Sequence, residues 1–209
     1  MNRQLDVLFV NPNSSKKVYQ ELSNNFTAIE VPVWSLLLAQ SCRAKGYGVA
    51  ILDCDAERLS DEDAVSRIKE ANPRLVVIVV YGQNPNSGTT NMSGALTMCA
   101  LLKSTHSQYK ICFVGSHTSA LPKEVIAKSC VDFVLLNEGV LALHNLLMTD
   151  LENDLQYVKG IGWKDNNGFY LNEPQGVVPN DKMDLLLPGS DYSLLTYKNK
   201  PLDMYRSHF

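Results

Sequence analysis

Five short runs of apolar, largely β-branched residues recur along the chain: LDVLFV (5–10), GVAILD (48–53), LVVIVVY (75–81), KICFVG (110–115) and VDFVLL (131–136). Their apolarity is nearly continuous and does not alternate, which marks strands buried on both faces, as in a parallel sheet. The segments between them carry helical patterns, the crossovers that parallel strands require. VPVWSLLLAQSCRAKGY sets Val33, Leu36, Leu37 and Gln40 at helical spacing between Pro32 and Gly46, an expected start and stop. SDEDAVSRIKEANP opens with Ser60 as an N-cap, places acids in its first turn and stops at Pro73. SGALTMCALLKS, LPKEVIAKS and VLALHNLL follow the third, fourth and fifth runs. This βα repetition predicts an α/β domain over residues 1–150, a flavodoxin-like (Rossmann-like) doubly wound five-stranded parallel sheet with helices on both faces.

After residue 150 the texture changes. GIGWKDNNGFYLNEP reads as a β-hairpin around an Asp-Asn-Asn-Gly turn. The remainder, through residue 209, is rich in Pro, Asp and Leu without a period of either kind. Residues 151–209 are therefore expected to form a hairpin and a linker, and the linker's leucines and aromatics predict that it packs on something.

Composition narrows the partners. An apolar content of 45%, a charged content of 20% and a formal charge of −3 are ordinary for a globular chain. Without a long Lys/Arg block there is no electrostatic reason to expect nucleic acid or an anionic membrane. The five cysteines are scattered singly with no CxxC or Cys/His spacing, so no metal site is expected. MNRQLDVLFV has too brief an apolar run for a signal peptide, and no stretch approaches the roughly 20 apolar residues of a membrane span. The expectation is a cytoplasmic protein.

In open α/β sheets ligands bind beyond the carboxyl ends of the strands, where the strand order reverses. For the order 2-1-3-4-5 that crevice lies between the first and third strands. Four polar loops face it: NPNSSKK with Asn11, Asn13 and Ser14; YGQNPNSGTT with Tyr81, Gln83, Ser87 and Thr89; GSHTSA with Gly115, Ser116, His117 and Thr118; and NEG with Glu138 and Gly139. They offer hydrogen bonds and no nucleophile–base pair, so no catalytic residue is assigned. The serine, glycine and threonines at 87–90 suit a phosphate at a helix amino terminus, and a plain N-cap explains them equally well. Asn11, Asn13 and Ser14 are equally ordinary turn residues. His117 reads as a polar ligand contact or as a loop residue capping the helix near Pro122. Trp34 reads as core or interdomain packing ahead of ligand stacking.

Familiar chemistries fail on these loops. There is no GxGxxG after the first strand, no Walker loop and no GxSxG elbow. A receiver domain needs an acidic cluster where this chain has Asn11 and Asn13, and an aspartate where it has Tyr81.

Taken together, the segments resemble one family. PVWSLLLAQSCRAKGYGVAILDCD is similar to the helix, glycine turn and Asp-ended second strand of the cobalamin-binding domains of cobalamin-dependent radical S-adenosylmethionine (SAM) enzymes. FVGSHTSALPKEV resembles their Gly-Gly-Pro-His loop and the helix after it, and VDFVLLNEG resembles the strand that ends in Gly-Glu. PNDKMDLLLPGSDYSLL looks like their passage to the radical domain. Anaerobic magnesium-protoporphyrin IX monomethyl ester cyclases and many cobalamin-dependent methyltransferases share this layout.

The resemblance implies cobalamin as cofactor, contacted by the thirteen loop residues named above. It implies a base-off corrin, and one without a lower histidine ligand, in keeping with the lack of histidine in NPNSSKK. It also implies a radical SAM domain of the same polypeptide, which would supply S-adenosylmethionine and the iron–sulfur cluster and act on a small-molecule substrate. No CxxxCxxC occurs in these 209 residues, so that domain is expected beyond MYRSHF and this part alone is not expected to be catalytic. Val114 stands where the family has the first glycine of its Gly-Gly pair, and Tyr81 where a small hydroxyl residue often closes the third strand. Two alternatives stay open: a degenerate structural or substrate-docking domain without cobalamin, and a flavodoxin-like flavin-binding protein.

Overall fold

The computed structural model describes residues 5–14, 29–81, 85–195 and Tyr205. Strand β1 (Val7–Asn11) leads to helix α1 (Val33–Ala44) and β2 (Val49–Asp53); α2 (Asp61–Ala71) leads to β3 (Leu75–Val79); α3 (Pro85–Thr105) leads to β4 (Lys110–Val114). Two short helices, α4 (Ser116–Ala120) and α5 (Pro122–Ile126), precede β5 (Phe133–Leu135), and α6 (Val140–Leu147) follows it. The chain ends in β6 (Ile161–Asp165), β7 (Gly168–Leu171) and the single-turn helix α7 (Met183–Leu186).

The sheet order is β2-β1-β3-β4-β5-β6-β7. β1 to β5 are parallel, as the apolar runs predict, with Val7 beside Val49 and Leu75, and Val76 beside Ile111. The hairpin does not stand apart. β6 pairs antiparallel with β5, Leu135 opposite Ile161, so the sheet has seven strands where the apolar runs predict five. The reason is the edge: β5 would otherwise expose a row of unpaired backbone groups, and the buried Ile161 and Gly162 cover it.

Alternate strand residues feed two cores. Val7, Phe9, Val77, Val79, Cys112 and Val114 face α1 and α6; Leu8, Val10, Val76, Ile78, Ile111 and Phe113 face α2, α3 and α5. Such two-sided burial is what continuous apolarity in a central strand requires. Helix α2 starts as expected: the Ser60 hydroxyl accepts from the Asp63 amide at 3.0 Å and donates to its carboxylate at 2.8 Å. It stops at Asn72, whose φ of 42° is left-handed. In α1 the buried face is Ser35, Leu36, Leu38, Ala39, Ser41 and Cys42, while Val33 is half exposed. The stripe expected from Val33 and Leu37 is rotated because α1 is covered on two sides, by the sheet and by the carboxyl-terminal segment.

The segment expected to be a linker packs on this chain itself. Val178, Leu186 and Leu195 are buried within the core formed by α1 and α6. The Ser41 hydroxyl donates to the Leu186 carbonyl and lies 3.0 Å from His144 Nε2; Arg43 pairs with Asp191. Residues 172–195 thus form a strap over the α1/α6 face.

Candidate functional site

The loops beyond the carboxyl ends of the strands begin with the first, which turns onto its own scaffold. Asn11 Nδ2 donates to Asp53 Oδ1 at 2.8 Å, Asn13 Nδ2 to the Leu59 carbonyl at 3.2 Å, and the buried Ser14 hydroxyl to the Asn91 carbonyl at 3.0 Å. Gly94 of α3 lets this loop come close; a Cβ there would meet the Asn13 carbonyl at 2.6 Å and clash with the Ser14 hydroxyl. These three residues therefore brace β1 against β2 and α3.

The loops after β3 and β4 meet each other. A Cβ on Gly115 would lie 2.5 Å from the Val80 carbonyl oxygen, and one on Gly88 would lie 2.6 Å from the Ser116 hydroxyl. Only missing side chains allow this approach. It brings Thr89 Oγ1 to 3.1 Å from His117 Nδ1. Ser87 lies in the first turn of α3, and Gln83 falls outside the described residues. GSHTSA is not a loop: Ser116–Ala120 is the helix α4, so His117 sits within a helical turn and its carbonyl accepts from the Leu121 amide. Thr118 is fully buried and its hydroxyl has no hydrogen-bond partner.

Tyr81 closes β3. Its hydroxyl donates to the Asn137 carbonyl at 3.0 Å, and its ring lies 4.9 Å from that of Trp34, tilted by 55°. Burial pushes the phenol up to about 12, helped by the nearby Glu138 carboxylate and opposed by the adjacent Trp34 indole. The Trp34 N–H is itself buried without an acceptor in hydrogen-bond geometry. Trp34 is thus both core packing, as expected, and part of the wall beside Tyr81.

After β5, Asn137 takes a left-handed φ of 56° and Gly139 one of 75°. Glu138 Oε2 accepts from the Val178 amide of the strap at 3.0 Å. Val114 is fully buried, its side chain lying in the α1/α6 core and against Gly139 of the loop after β5. Among the described residues no group of histidines, cysteines and carboxylates is placed to hold a metal ion.

The structure thus brings Tyr81, Thr89, Gly115, Ser116, His117 and Gly139 to the ends of β3, β4 and β5, while Asn11, Asn13, Ser14 and Glu138 each bond to another part of the chain. Asn91 and Asn137 are not singled out by sequence. For Asn137 a signal existed, because an Asn two residues before a Gly at a strand end suits left-handed backbone. For Asn91, and for the partners of Asp53 at the end of the second strand, no local pattern marks the long-range contact.

A family model described as B12 binding domain matches residues 22–147, more than half of the chain and all of the loops from β3 to β5. The chain belongs to the B12-binding domain family. Its fold is also that of several solved proteins. The cobalamin-dependent S-adenosylmethionine radical enzyme OxsB, with aqua-cobalamin and S-adenosylmethionine bound, matches with a TM-score of 0.62 at 18% identity, over 82% of this chain and 22% of that one. The radical S-adenosylmethionine methyltransferase TsrM from Kitasatospora setae, with tryptophan substrate and a SAM analogue bound, matches with a TM-score of 0.61 at 16% identity, over 82% of this chain and 30% of that one. TsrM with cobalamin and a [4Fe-4S] cluster bound gives 0.60 at 15% identity, over 81% and 31%. The chain therefore spans less than a third of the length of these proteins. Comparison with the curated proteins found no match.

The edge of this B12-binding domain fits such a ligand in its donor chemistry. Cobalamin carries amide side chains and a phosphate-linked nucleotide tail, which call for hydroxyl, amide and backbone partners. Here the α3 backbone is drawn against β3 and β4 at Gly88 and Gly115, next to hydroxyls and the unpartnered Thr118. The valine in place of a family glycine does not obstruct it, because Val114 points into the core.

Proposed function

We propose that this domain holds cobalamin beyond the carboxyl ends of β3, β4 and β5 and presents it to a radical SAM domain of the same polypeptide. The membership of residues 22–147 in the B12-binding family carries this reading. Thr89, Ser116, His117 and Thr118, with the backbone at Gly88, Gly115 and Gly139, would hold the ligand, and Tyr81 with Trp34 would wall it on the α1 side. No histidine precedes His106 in the sequence, so the loop after β1 would supply no histidine to a bound corrin. When bound, the corrin supplies methyl-group relay or participation in radical ring chemistry. The chain's own residues would bind, orient and enclose the ligand.

The parent enzyme in this reading is a cytoplasmic cobalamin-dependent methyltransferase or a cyclase of the magnesium-protoporphyrin type acting on a small molecule. Its SAM and cluster would be carried by the other domain. None of the described helices is long and apolar enough to cross a membrane.

The experiment is direct. The chain is incubated with excess hydroxocobalamin, desalted, and its visible spectrum recorded. Retained corrin absorbance near one equivalent, reduced in Ser116→Ala and His117→Ala, is the expected result. A colourless protein at saturating ligand would remove the cofactor role and leave a structural domain, and a retained yellow flavin spectrum would replace it with a flavin protein.

A further inference from the structure

Asn137 is the meeting point of three elements that are distant in sequence. Its backbone carbonyl accepts from the Tyr81 hydroxyl at 3.0 Å, from the end of β3, and from the Ser119 hydroxyl at 3.4 Å, from α4. Its side-chain Nδ2 donates to the Gln175 carbonyl of the strap at 3.1 Å. The backbone reaches all three because the residue is left-handed, a conformation Asn tolerates better than other side chains. The next residue adds a second tie, Glu138 to the Val178 amide, and a small cleft remains between Asn137, Glu138, Gln175 and Val178.

We propose that Asn137 is a positioning residue through which the strap sets the ligand-facing edge. Held by Gln175 on one side, it fixes where Tyr81 and the α4 turn stand on the other. This rests on the cobalamin reading above for what the edge binds, but the coupling itself is a property of the chain alone. The strap reaches Tyr81 through Asn137 by two successive hydrogen bonds, with the Glu138–Val178 tie beside them. Because the linkage is a shared free energy, it is reciprocal: loosening Tyr81 loosens the strap as much as loosening the strap loosens Tyr81.

The test separates the amide from the backbone. Asn137→Gly keeps the left-handed φ and the carbonyl and removes only the donor to Gln175. Amide hydrogen exchange across 172–178 should rise, exchange at Tyr81 should rise with it, and the tryptophan emission that Trp34→Phe removes should shift, because Tyr81 lies against Trp34. Tyr81→Phe leaves the strap untouched and should raise exchange across 172–178 by the reciprocal route. Where the wild type retains hydroxocobalamin, both variants should weaken it about fivefold, the worth of one hydrogen bond of about 1 kcal/mol.

Freer strap exchange in Asn137→Gly with Trp34 emission and Tyr81 exchange unchanged would overturn the coupling. So would unchanged strap exchange in Tyr81→Phe, which also decides the matter if Asn137→Gly fails to fold. A wild type that retains no corrin ends the cobalamin reading, and the exchange and emission data still judge Asn137.

Discussion

The Tyr205 hydroxyl donates to Asp53 Oδ2 at 2.9 Å, which ties the far end of the chain to the end of the second strand. Asp53 is buried, and its other oxygen accepts from Asn11 Nδ2 and the Ala56 amide. Burial raises its carboxyl above the usual range; the bonds from Asn11, Ala56 and Tyr205 only partly oppose that rise.

The sign of the resulting pH dependence follows. A folded carboxyl with a raised pKa keeps its proton where the unfolded one has lost it, so its contribution to stability is fully present below the unfolded pKa of about 4 and is lost as pH climbs through the folded value. Urea midpoints of the wild type, referred to Asp53→Asn at each pH, should fall between about pH 4 and the raised pKa and then level off. Tyr205→Phe removes a donor that favours the anion, so the same fall should extend to higher pH. A difference that is flat from pH 3 to 7, or that rises, would contradict the assignment.

Gly115→Ala tests the contact between the loops after β3 and β4. The added Cβ meets the Val80 carbonyl at 2.5 Å and Val80 Cγ2 at 2.7 Å. Overpacking of this kind costs about 1–3 kcal/mol, read as a lower urea midpoint at unchanged slope. Since the nearer obstacle is backbone, adding Val80→Ala should not restore the midpoint. Full recovery in the double variant would mean that only the valine side chain matters and that the backbones are not held together.

Much of this architecture is written locally. The buried strands show as apolar runs, the Ser60 cap and the α6 limits show in a few letters, and the candidate edge follows from strand order alone. Other features have no local signature. Ser116–Ala120 is five residues long, too short for a helical period, so it reads as loop. The strap is held by three well-separated buried residues, Val178, Leu186 and Leu195, which no window detects. Tyr205 and Asp53 are 152 positions apart, and their pairing is decided by where the strap ends up. The carbonyls and carboxylate that accept from Asn11, Asn13 and Ser14 come from β2, the turn after it, and α3, so no local pattern shows these bonds.

Ser41→Ala probes how the strap is fastened. The single hydroxyl proton goes to the Leu186 carbonyl, so the same oxygen accepts from His144 Nε2, which makes Nε2 the protonated nitrogen of a neutral ring. Burial, and then the charge of Lys45, lower the pKa of His144, consistent with that neutral form. Removing the hydroxyl leaves a buried carbonyl and a buried N–H unpaired, a loss of about 1–3 kcal/mol. Trypsin should then cut at Lys182 faster than in the wild type, while far-ultraviolet circular dichroism stays the same. An unchanged cleavage rate would show that Leu186 packing alone retains the strap.

The cysteines supply the last prediction, and it bears on where redox chemistry can reside. Cys42, Cys54, Cys99, Cys112 and Cys130 are all free and buried. Burial pushes Cys42 up to about 12 and raises the other four. Only a thiolate attacks a disulfide reagent or binds iron, so the folded chain should leave Ellman's reagent nearly colourless at pH 8. Five equivalents should appear along the urea transition, at the midpoint followed by circular dichroism. For the same reason anaerobic reconstitution with iron and sulfide should deposit no cluster on the folded chain. Prompt reaction of one thiol in native buffer would identify an accessible cysteine and reopen a metal or redox role for it.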